Sequence, residues 1–333
     1  MKPIRFGLIG CSSIARRRFA PAVRKSAVAR LERIGSRDVA KAEQFSREFN
    51  CPKSGSYEDV LADPEVDAVY ISTPPGLHES WARAAAEHGK HILCEKPAFP
   101  NSRTALELVE LCRRAKVRLM EGYMFSYHPQ HAVVRTLLEE GRVGAPRLIQ
   151  SEFALPWPAE GSYRLQRELG GGVFLDAAGY PVALAMLLYK MMPVSVYCEI
   201  KTDPAGVDHA VSMILNFPSG QIAHALALYG LRYRGHYLVR GPEGSIEAPR
   251  AFAIPPENGT EIILETAAEK KVIPIAPADQ FLLMVEDFCA QINQPSLPQT
   301  FEEHLLRQHA VMEAAMHSHR QQKPVLLSEI CST

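Results

Sequence analysis

The sequence predicts an α/β protein in two parts. Residues 1–122 form a doubly wound parallel sheet, and residues 123–333 an α+β domain with a large, mostly antiparallel sheet. Three observations carry this. Up to Gly122, buried-type apolar runs alternate with helical stretches, the grammar of βαβ units. After Arg147, extended runs dominate, with turn-rich connections such as Pro218-Ser219-Gly220 and Gly241-Pro242-Glu243-Gly244. Between the two lies Tyr123-Met124-Phe125-Ser126-Tyr127-His128-Pro129-Gln130-His131, dense in aromatics and histidines; such a seam is a favoured place for a ligand cleft.

Length and charge bound the possibilities. At 333 residues the chain suits two domains of roughly 150 residues each. Lys+Arg and Asp+Glu both number 37, so the formal charge is zero. No global field favours nucleic acid or an anionic membrane, and Arg16-Arg17-Arg18 reads as one exposed helix face. The seven cysteines are scattered, odd in number and without a C-x-x-C pair. Zinc spacing and a disulfide framework are both unsupported, and a reducing, cytoplasmic setting is expected. No secretory apolar region follows Met1. The apolar stretch around residues 182–192 is interrupted by Lys190 and is short for a bilayer.

Taken in order, residues 4–10 are a buried strand, and Cys11-Ser12-Ser13-Ile14-Ala15 opens a helix running to about Ser26. Strand, tight turn and helix begin a Rossmann-type nucleotide fold. Gly10 and Ala15 fill the first and third positions of the G-x-G-x-x-G/A fingerprint, but Ser12 holds the second. Its side chain crowds a close approach, although its hydroxyl and the first helical amides suit phosphate. The next strand, 29–35, ends in Ser36-Arg37-Asp38. A carboxylate at that strand end reads a ribose 2′-hydroxyl, whereas a small residue plus arginine suits a 2′-phosphate. Ser36-Arg37 is the second pattern, which favours NADP over NAD, with Asp38 starting the helix 39–49. The strand 67–72 ends in Thr73-Pro74-Pro75, followed by His78. That loop offers amides and a hydroxyl to a cofactor, or is a plain turn, with His78 beginning the next helix.

Ile92-Leu93-Cys94 is a further short strand, stopped by Glu95-Lys96-Pro97 because proline cannot donate to a ladder. Lys96 is thereby expected at the carboxyl end of a strand, the ligand edge of a parallel sheet. A helix over 102–115 and a strand over 118–122 close this half. In the second half, extended runs are expected at 148–155, 194–201, 209–217, 221–229, 234–241 and 261–275, with closing helices at 280–292 and 301–321. A large antiparallel sheet needs its open face covered, and a homo-oligomer formed through that sheet is one way to do so. His128 and His131 lack the acidic neighbours and spacing of a metal site, so packing or substrate hydrogen bonds explain them better.

Gly170-Gly171-Gly172 precedes Val173-Phe174-Leu175-Asp176-Ala177-Ala178-Gly179-Tyr180 and an apolar helix to Tyr189. The glycines permit close backbone approach, to a ligand or to the other domain. Asp176 and Tyr180, four apart, share a helix face. Tyr180 read alone is more simply a core aromatic with a satisfied hydroxyl. Arg164, in the loop before the glycines, suits either a substrate or phosphate contact or a surface charge.

Together, Gly10-Cys11-Ser12-Ser13-Ile14-Ala15, Thr73-Pro74-Pro75 with His78, Glu95-Lys96-Pro97, and the triple glycine with Asp176 and Tyr180 resemble the glucose–fructose oxidoreductase / inositol dehydrogenase family across essentially the whole chain. Residues 120–131 look most like its nucleotide-sugar 3-ketoreductases and dimeric dihydrodiol dehydrogenases. The resemblance implies reversible hydride transfer between a nicotinamide and a carbinol or carbonyl carbon of a sugar, nucleotide sugar or dihydrodiol. It makes Lys96 the catalytic lysine and Tyr180, a histidine in many members, the proton donor or acceptor. An ordinary tyrosine titrates near pH 10, and an ammonium across a cleft would favour its phenolate. Asp176 is left to bind a substrate hydroxyl or to fix Lys96. Cofactor contacts are expected from Gly10, Cys11, Ser12, Ser13, Ile14, Ser36, Arg37, Thr73, Pro74, Pro75, His78, Glu95 and Lys96. Substrate contacts are expected from Tyr123, Phe125, His128, Arg164, Asp176 and Tyr180. The rival readings are a non-catalytic dinucleotide sensor of the same fold and a polyol dehydrogenase using NAD.

Overall fold

A computed structural model describes residues 2–294 and 300–331. The chain divides into two compact units, Met1–Gly122 with Phe281–Leu306 and Tyr123–Gln280 with Arg307–Thr333.

The first unit is built on β1 (Ile4–Ile9), β2 (Ala29–Gly35), β3 (Lys53–Gly55), β4 (Ala68–Ile71), β5 (His91–Cys94) and β6 (Leu119–Glu121). They lie in the order β3-β2-β1-β4-β5-β6, all parallel. Every residue of β1 and β4 is buried, as expected of strands covered on both faces by helices. Strand order reverses between β1 and β4, and the crevice at their carboxyl ends is where a doubly wound sheet takes its ligand.

The sequence reading missed β3 and the helix Tyr57–Ala62. Lys53-Ser54-Gly55 has no apolar run to announce it; its pairing with Arg33–Gly35 of β2 makes it a strand. The helix did carry a signal, a capping box in which Ser56 and Asp59 satisfy each other's main-chain N–H groups. A second departure concerns the segment Phe281–Leu306, which the sequence reading placed with the C-terminal domain. It packs with the first unit because Phe288 meets Phe6 at 6.1 Å and Glu302 takes the Arg118 guanidinium through Nε (2.9 Å) and Nη2 (3.0 Å). Glu302 also accepts from the Leu119 N–H at 3.0 Å, tying it directly to β6.

The second unit holds β7 (Leu148–Leu155), β8 (Ser195–Thr202), β9 (Asp208–Asn216), β10 (Ile222–Tyr229), β11 (Arg234–Gly241), β12 (Gly244–Ala248), β13 (Thr260–Thr266), β14 (Lys270–Ile275) and β15 (Val325–Leu326). They form one sheet, ordered β14-β13-β12-β11-β7-β10-β9-β8-β15. Every pair is antiparallel except β7 with β10. The run expected over 261–275 is a hairpin, turned where the Thr266 N–H donates to the Glu269 carbonyl at 2.8 Å. β12 and β15 were also unforeseen, being short and lacking a long alternating pattern.

One face of this sheet is buried through Val211, Met213, Leu215, Ala223, Ala225, Ala227, Tyr237 and Val239. The helix Gly179–Tyr189 packs there on β7 and β10. Together with the turns before it, the segment Arg167–Tyr189 is long and apolar enough to cross a membrane by length and composition alone. Its most apolar stretch is 67% buried within the protein, the behaviour of a core helix. On the same face His131 contacts the Tyr237 hydroxyl (3.1 Å) and the Ala251 carbonyl (3.3 Å). Burial first, then His128, pushes its pKa down to about 3.

Two predictions follow from these contacts. Arg118→Leu leaves Glu302 facing an apolar group in a mostly buried setting, and should lower stability by about 3 kcal/mol in urea unfolding. The His131 imidazole is neutral when folded and binds a proton near pH 6.5 when unfolded. Its stabilising share is therefore complete above pH 6.5 and lost as the pH falls toward 3. By pH 5 the loss is about 2 kcal/mol. The fall in the free energy of urea unfolding between pH 7 and pH 5 should shrink by that amount in His131→Gln.

Candidate functional site

In the first unit, the residues expected at the cofactor site lie on the loops after β1, β2, β4 and β5. Gly10 has φ +111°, and a Cβ there would lie 3.1–3.2 Å from the Ser72–Thr73 main chain. Only glycine fits. Ser72 Oγ donates to the Gly10 carbonyl at 2.9 Å and fastens the two loops. Cys11 is buried, and burial raises its thiol pKa, so its side chain is inert and only its main chain is on offer. Ser12 Oγ accepts from the Ala15 N–H at 3.1 Å. The hydroxyl that replaces the second glycine thus caps the helix. Ser13 and Ile14 begin that helix, where unpaired amides suit phosphate.

At the end of β2, Ser36 Oγ accepts from the Asp38 N–H at 3.2 Å and Arg37 is exposed. Asp38 caps the helix Val39–Phe49 by accepting from the Lys41 N–H at 3.3 Å. After β4, Thr73 is buried and its hydroxyl has no hydrogen-bond partner in the protein. Pro74 leads into the turn Pro75–Leu77. His78 departs from the expectation of a cofactor contact. It is 1% exposed, with Nε2 2.8 Å from the Thr73 carbonyl and Nδ1 2.9 Å from the Pro97 carbonyl. Burial holds its pKa below the usual value, against the two carbonyls, which favour the charged ring. His78 therefore braces two loops.

β5 ends at Cys94, Glu95 accepts from the Tyr70 hydroxyl, and the Lys96–Pro97 peptide is cis. Glu121, at the end of β6, accepts from the Ala98 N–H at 2.8 Å and fixes the exit of this loop. Tyr70 and Glu121 were absent from the expected site; each sits within an apolar strand pattern that gives no polar signal. A glycine cradle, an orphaned buried hydroxyl and an open helix N-terminus together fit a dinucleotide phosphate and ribose.

In the second unit, the Tyr180 ring lies among Tyr123 (5.3 Å), Phe125 (5.6 Å), Phe153 (5.0 Å) and Phe252 (5.5 Å). It is 5% exposed, and its hydroxyl lies 3.6 Å from Met124 Sδ. Tyr123 is set by Gln308, whose Nε2 donates to the Tyr123 hydroxyl (3.2 Å) and the Gly179 carbonyl (2.9 Å). Two expected substrate contacts are corrected. Phe125 is fully buried and serves as packing under Tyr180. His128 is buried, and its Nδ1 accepts from the Gln130 N–H at 3.4 Å at the start of the helix Pro129–Glu139. Burial pushes its pKa down to about 4.

Asp176 Oδ2 accepts from Arg164 Nε at 2.8 Å and from the Tyr229 hydroxyl at 2.9 Å. Arg164 is thus neither a bare surface charge nor an unengaged one. The triple glycine also departs from expectation, since its close approach is made within its own unit. A Cβ on Gly171 would lie 2.7 Å from the carbonyl oxygens of Tyr163 and Arg164. Tyr229 and Gln308 were not anticipated, because residues so distant in sequence announce no pairing. Among the described residues no group of three or more His, Cys, Asp or Glu is placed to hold a metal.

Comparison with known proteins extends this. The model of an oxidoreductase family with an NAD-binding Rossmann fold matches residues 4–123, and that of the GFO/IDH/MocA C-terminal domain matches residues 131–247. The chain is 34% identical to a dTDP-3,4-didehydro-2,6-dideoxy-α-D-glucose 3-reductase from Saccharopolyspora spinosa, over 94% of this chain and 96% of that one. It is 32% identical to an NADP(+) D-xylose 1-dehydrogenase from Haloferax volcanii, over 90% and 92%. Among solved structures, a 3-ketoreductase from Actinomadura kijaniata in complex with NADP and TDP-benzene superposes with a TM-score of 0.92 at 30% identity, over 95% of this chain and 98% of that one. Both halves and the near-complete overlap with these relatives make the chain a member of the GFO/IDH/MocA family of oxidoreductases.

Proposed function

We propose that this protein is an NADP-dependent oxidoreductase transferring a hydride between the nicotinamide and a carbinol or carbonyl carbon of a sugar, nucleotide sugar or dihydrodiol, with Lys96 and Tyr180 as its catalytic pair. The observation that carries this reading is the placement of Lys96 at the carboxyl end of β5, on the same sheet edge as the Gly10 cradle and the orphaned Thr73 hydroxyl. The 3-reductase and xylose dehydrogenase relatives, and the NADP-bound ketoreductase, support the substrate class and the cofactor.

Bound NADP supplies or accepts the hydride. Gly10, Cys11, Ser12, Ser13 and Ile14 hold the pyrophosphate through main-chain N–H groups, and Thr73 gives its free hydroxyl. Arg37 takes the 2′-phosphate. Asp38, three residues past the end of that strand, caps the next helix by accepting from the Lys41 N–H, a role other than reading a ribose hydroxyl. Lys96 donates to the reacting oxygen as negative charge builds there. Tyr180 moves the proton at that oxygen, and Asp176 accepts from a neighbouring substrate hydroxyl.

The C-terminal sheet supports a homo-oligomer. On its open face Ile214 is paired with His224 and flanked by Ile222 and Leu226, and all three aliphatic side chains are more than a third exposed. A second copy of the chain laid on this face would bury them. The six described cysteine side chains are all unpaired, in keeping with a reducing, cytoplasmic setting.

A panel of sugars, nucleotide ketosugars and dihydrodiols, assayed with NADP(H) and NAD(H) by the absorbance of the reduced cofactor, tests the reading. Turnover is expected with NADP(H) preferred, and Arg37→Ala should raise the KM for NADP about tenfold while sparing NAD. Lys96→Met and Tyr180→Phe should each lose on the order of 100-fold in kcat with NADPH binding retained. Binding of NADPH without turnover anywhere on the panel would instead indicate a dinucleotide sensor. For the assembly, light scattering should show an oligomer that Ile214→Glu with Leu226→Lys reduces to monomer.

A further inference from the structure

Three parts of the second unit converge on one carboxylate oxygen. Arg164 arrives from the turn Tyr163–Leu165, Tyr229 from the last residue of β10, and Asp176 from the helical turn Phe174–Ala178. Both donors reach Oδ2, at 2.8 and 2.9 Å. Asp176 is 8% exposed, so the carboxylate needs such partners to be kept there at all.

The chain is shaped to deliver the arginine. The Gly172 N–H donates to the Arg164 carbonyl at 2.9 Å, and only a residue without Cβ at 171 lets the Tyr163–Arg164 main chain press so close. Asp208 secures the far side by accepting from the Phe174 N–H at 2.6 Å. Arg164 also lies over the Tyr163 ring, its guanidinium carbon 5.0 Å from the centroid. Through its Nε the guanidinium meets the Asp176 carboxylate. Tyr229 is supplied by the sheet's one parallel pair. β7 and β10 end together, Leu155 opposite Tyr229, and the strand fixes where the phenol points. Burial, then the Asp176 charge, raises the Tyr229 pKa, so this phenol remains a donor.

We propose that Arg164 and Tyr229 are positioning residues that hold Asp176 as a fixed hydrogen-bond acceptor for a substrate hydroxyl next to the reacting carbon. This rests on the oxidoreductase reading above. With Asp176 held by an obligate cation and a phenol, it serves as an acceptor and leaves proton transfer to Tyr180, four residues along. A carboxylate so held loses no rotamer freedom when substrate arrives. The arrangement selects substrates carrying a hydroxyl at that neighbouring carbon.

The test uses the full-length protein and whichever panel substrate the wild type turns over best. Tyr229→Phe is expected to raise the KM for that substrate about tenfold, with the dissociation constant for NADPH unchanged. Arg164→Ala should raise KM further, and Arg164→Lys should recover part of the loss. The analogue lacking the neighbouring hydroxyl should be handled almost equally by wild type and Tyr229→Phe. Variants that lower the melting temperature while keeping wild-type KM and kcat would reduce the trio to a structural brace and overturn the proposal. A wild type that turns over nothing on the panel would defeat the oxidoreductase reading itself, and the proposal with it. The two failures are told apart by the wild-type assay.

Discussion

The main chain of Gly10, at φ +111°, lies so close to the peptide joining Ser72 to Thr73 that a Cβ there would sit 3.1–3.2 Å from it. This one contact sets what the first unit can hold. It draws the ends of β1 and β4 together at the point where strand order reverses, and it fastens them through the Ser72 hydroxyl. The helix opening at Ser13 then starts with its amides at the mouth of the crevice, and the Thr73 hydroxyl is left buried and unpartnered. A side chain at Gly10 would be strained by the positive φ and would crowd the Ser72–Thr73 peptide. The Ser12 substitution costs little by comparison, because its hydroxyl is turned onto the Ala15 amide.

A second constraint governs the C-terminal unit. Its helix Gly179–Tyr189 is apolar on nearly every side, so it is buried by β7 and β10, and the residues just before it enter a low-dielectric setting. Tyr180 meets that setting with an aromatic surround. Asp176 cannot. A carboxylate there has to be hydrogen-bonded and paired, and the glycine run, the Arg164 turn and the end of β10 are arranged to do it. The same pairing that makes burial tolerable also fixes the group's orientation.

Much of this was legible in the residues. The parallel strands of the first unit announced themselves as short buried runs followed by helices, and Pro97 correctly marked the end of β5. The capping role of Asp38 was likewise local, and the structure shows it in the bond from the Lys41 N–H. β3 was illegible because three polar residues form a strand only when Arg33–Gly35 is beside them. His78, Phe125 and His128 were read as ligand contacts because polarity and aromaticity are visible in sequence, whereas burial is not. Each turned out to be 1% exposed or less. The Phe281–Leu306 segment was misassigned for a related reason. Arg118 and Glu302 are ordinary charges until the fold brings them to 2.9 Å.

By itself, then, the sequence determined what depends on neighbours within a few residues: strand and helix periods, caps, turn glycines, and the residue types at the ends of β1, β2, β4 and β5. Hydrophobic periodicity and backbone sterics act locally, and local forces are written locally. Only the tertiary structure decided which polar groups would be partners. Tyr229 reaches Asp176 across 53 positions and Gln308 reaches Tyr123 across 185. Such pairs exist because a carboxylate or an amide removed from water must find a donor or acceptor wherever the packed chain offers one.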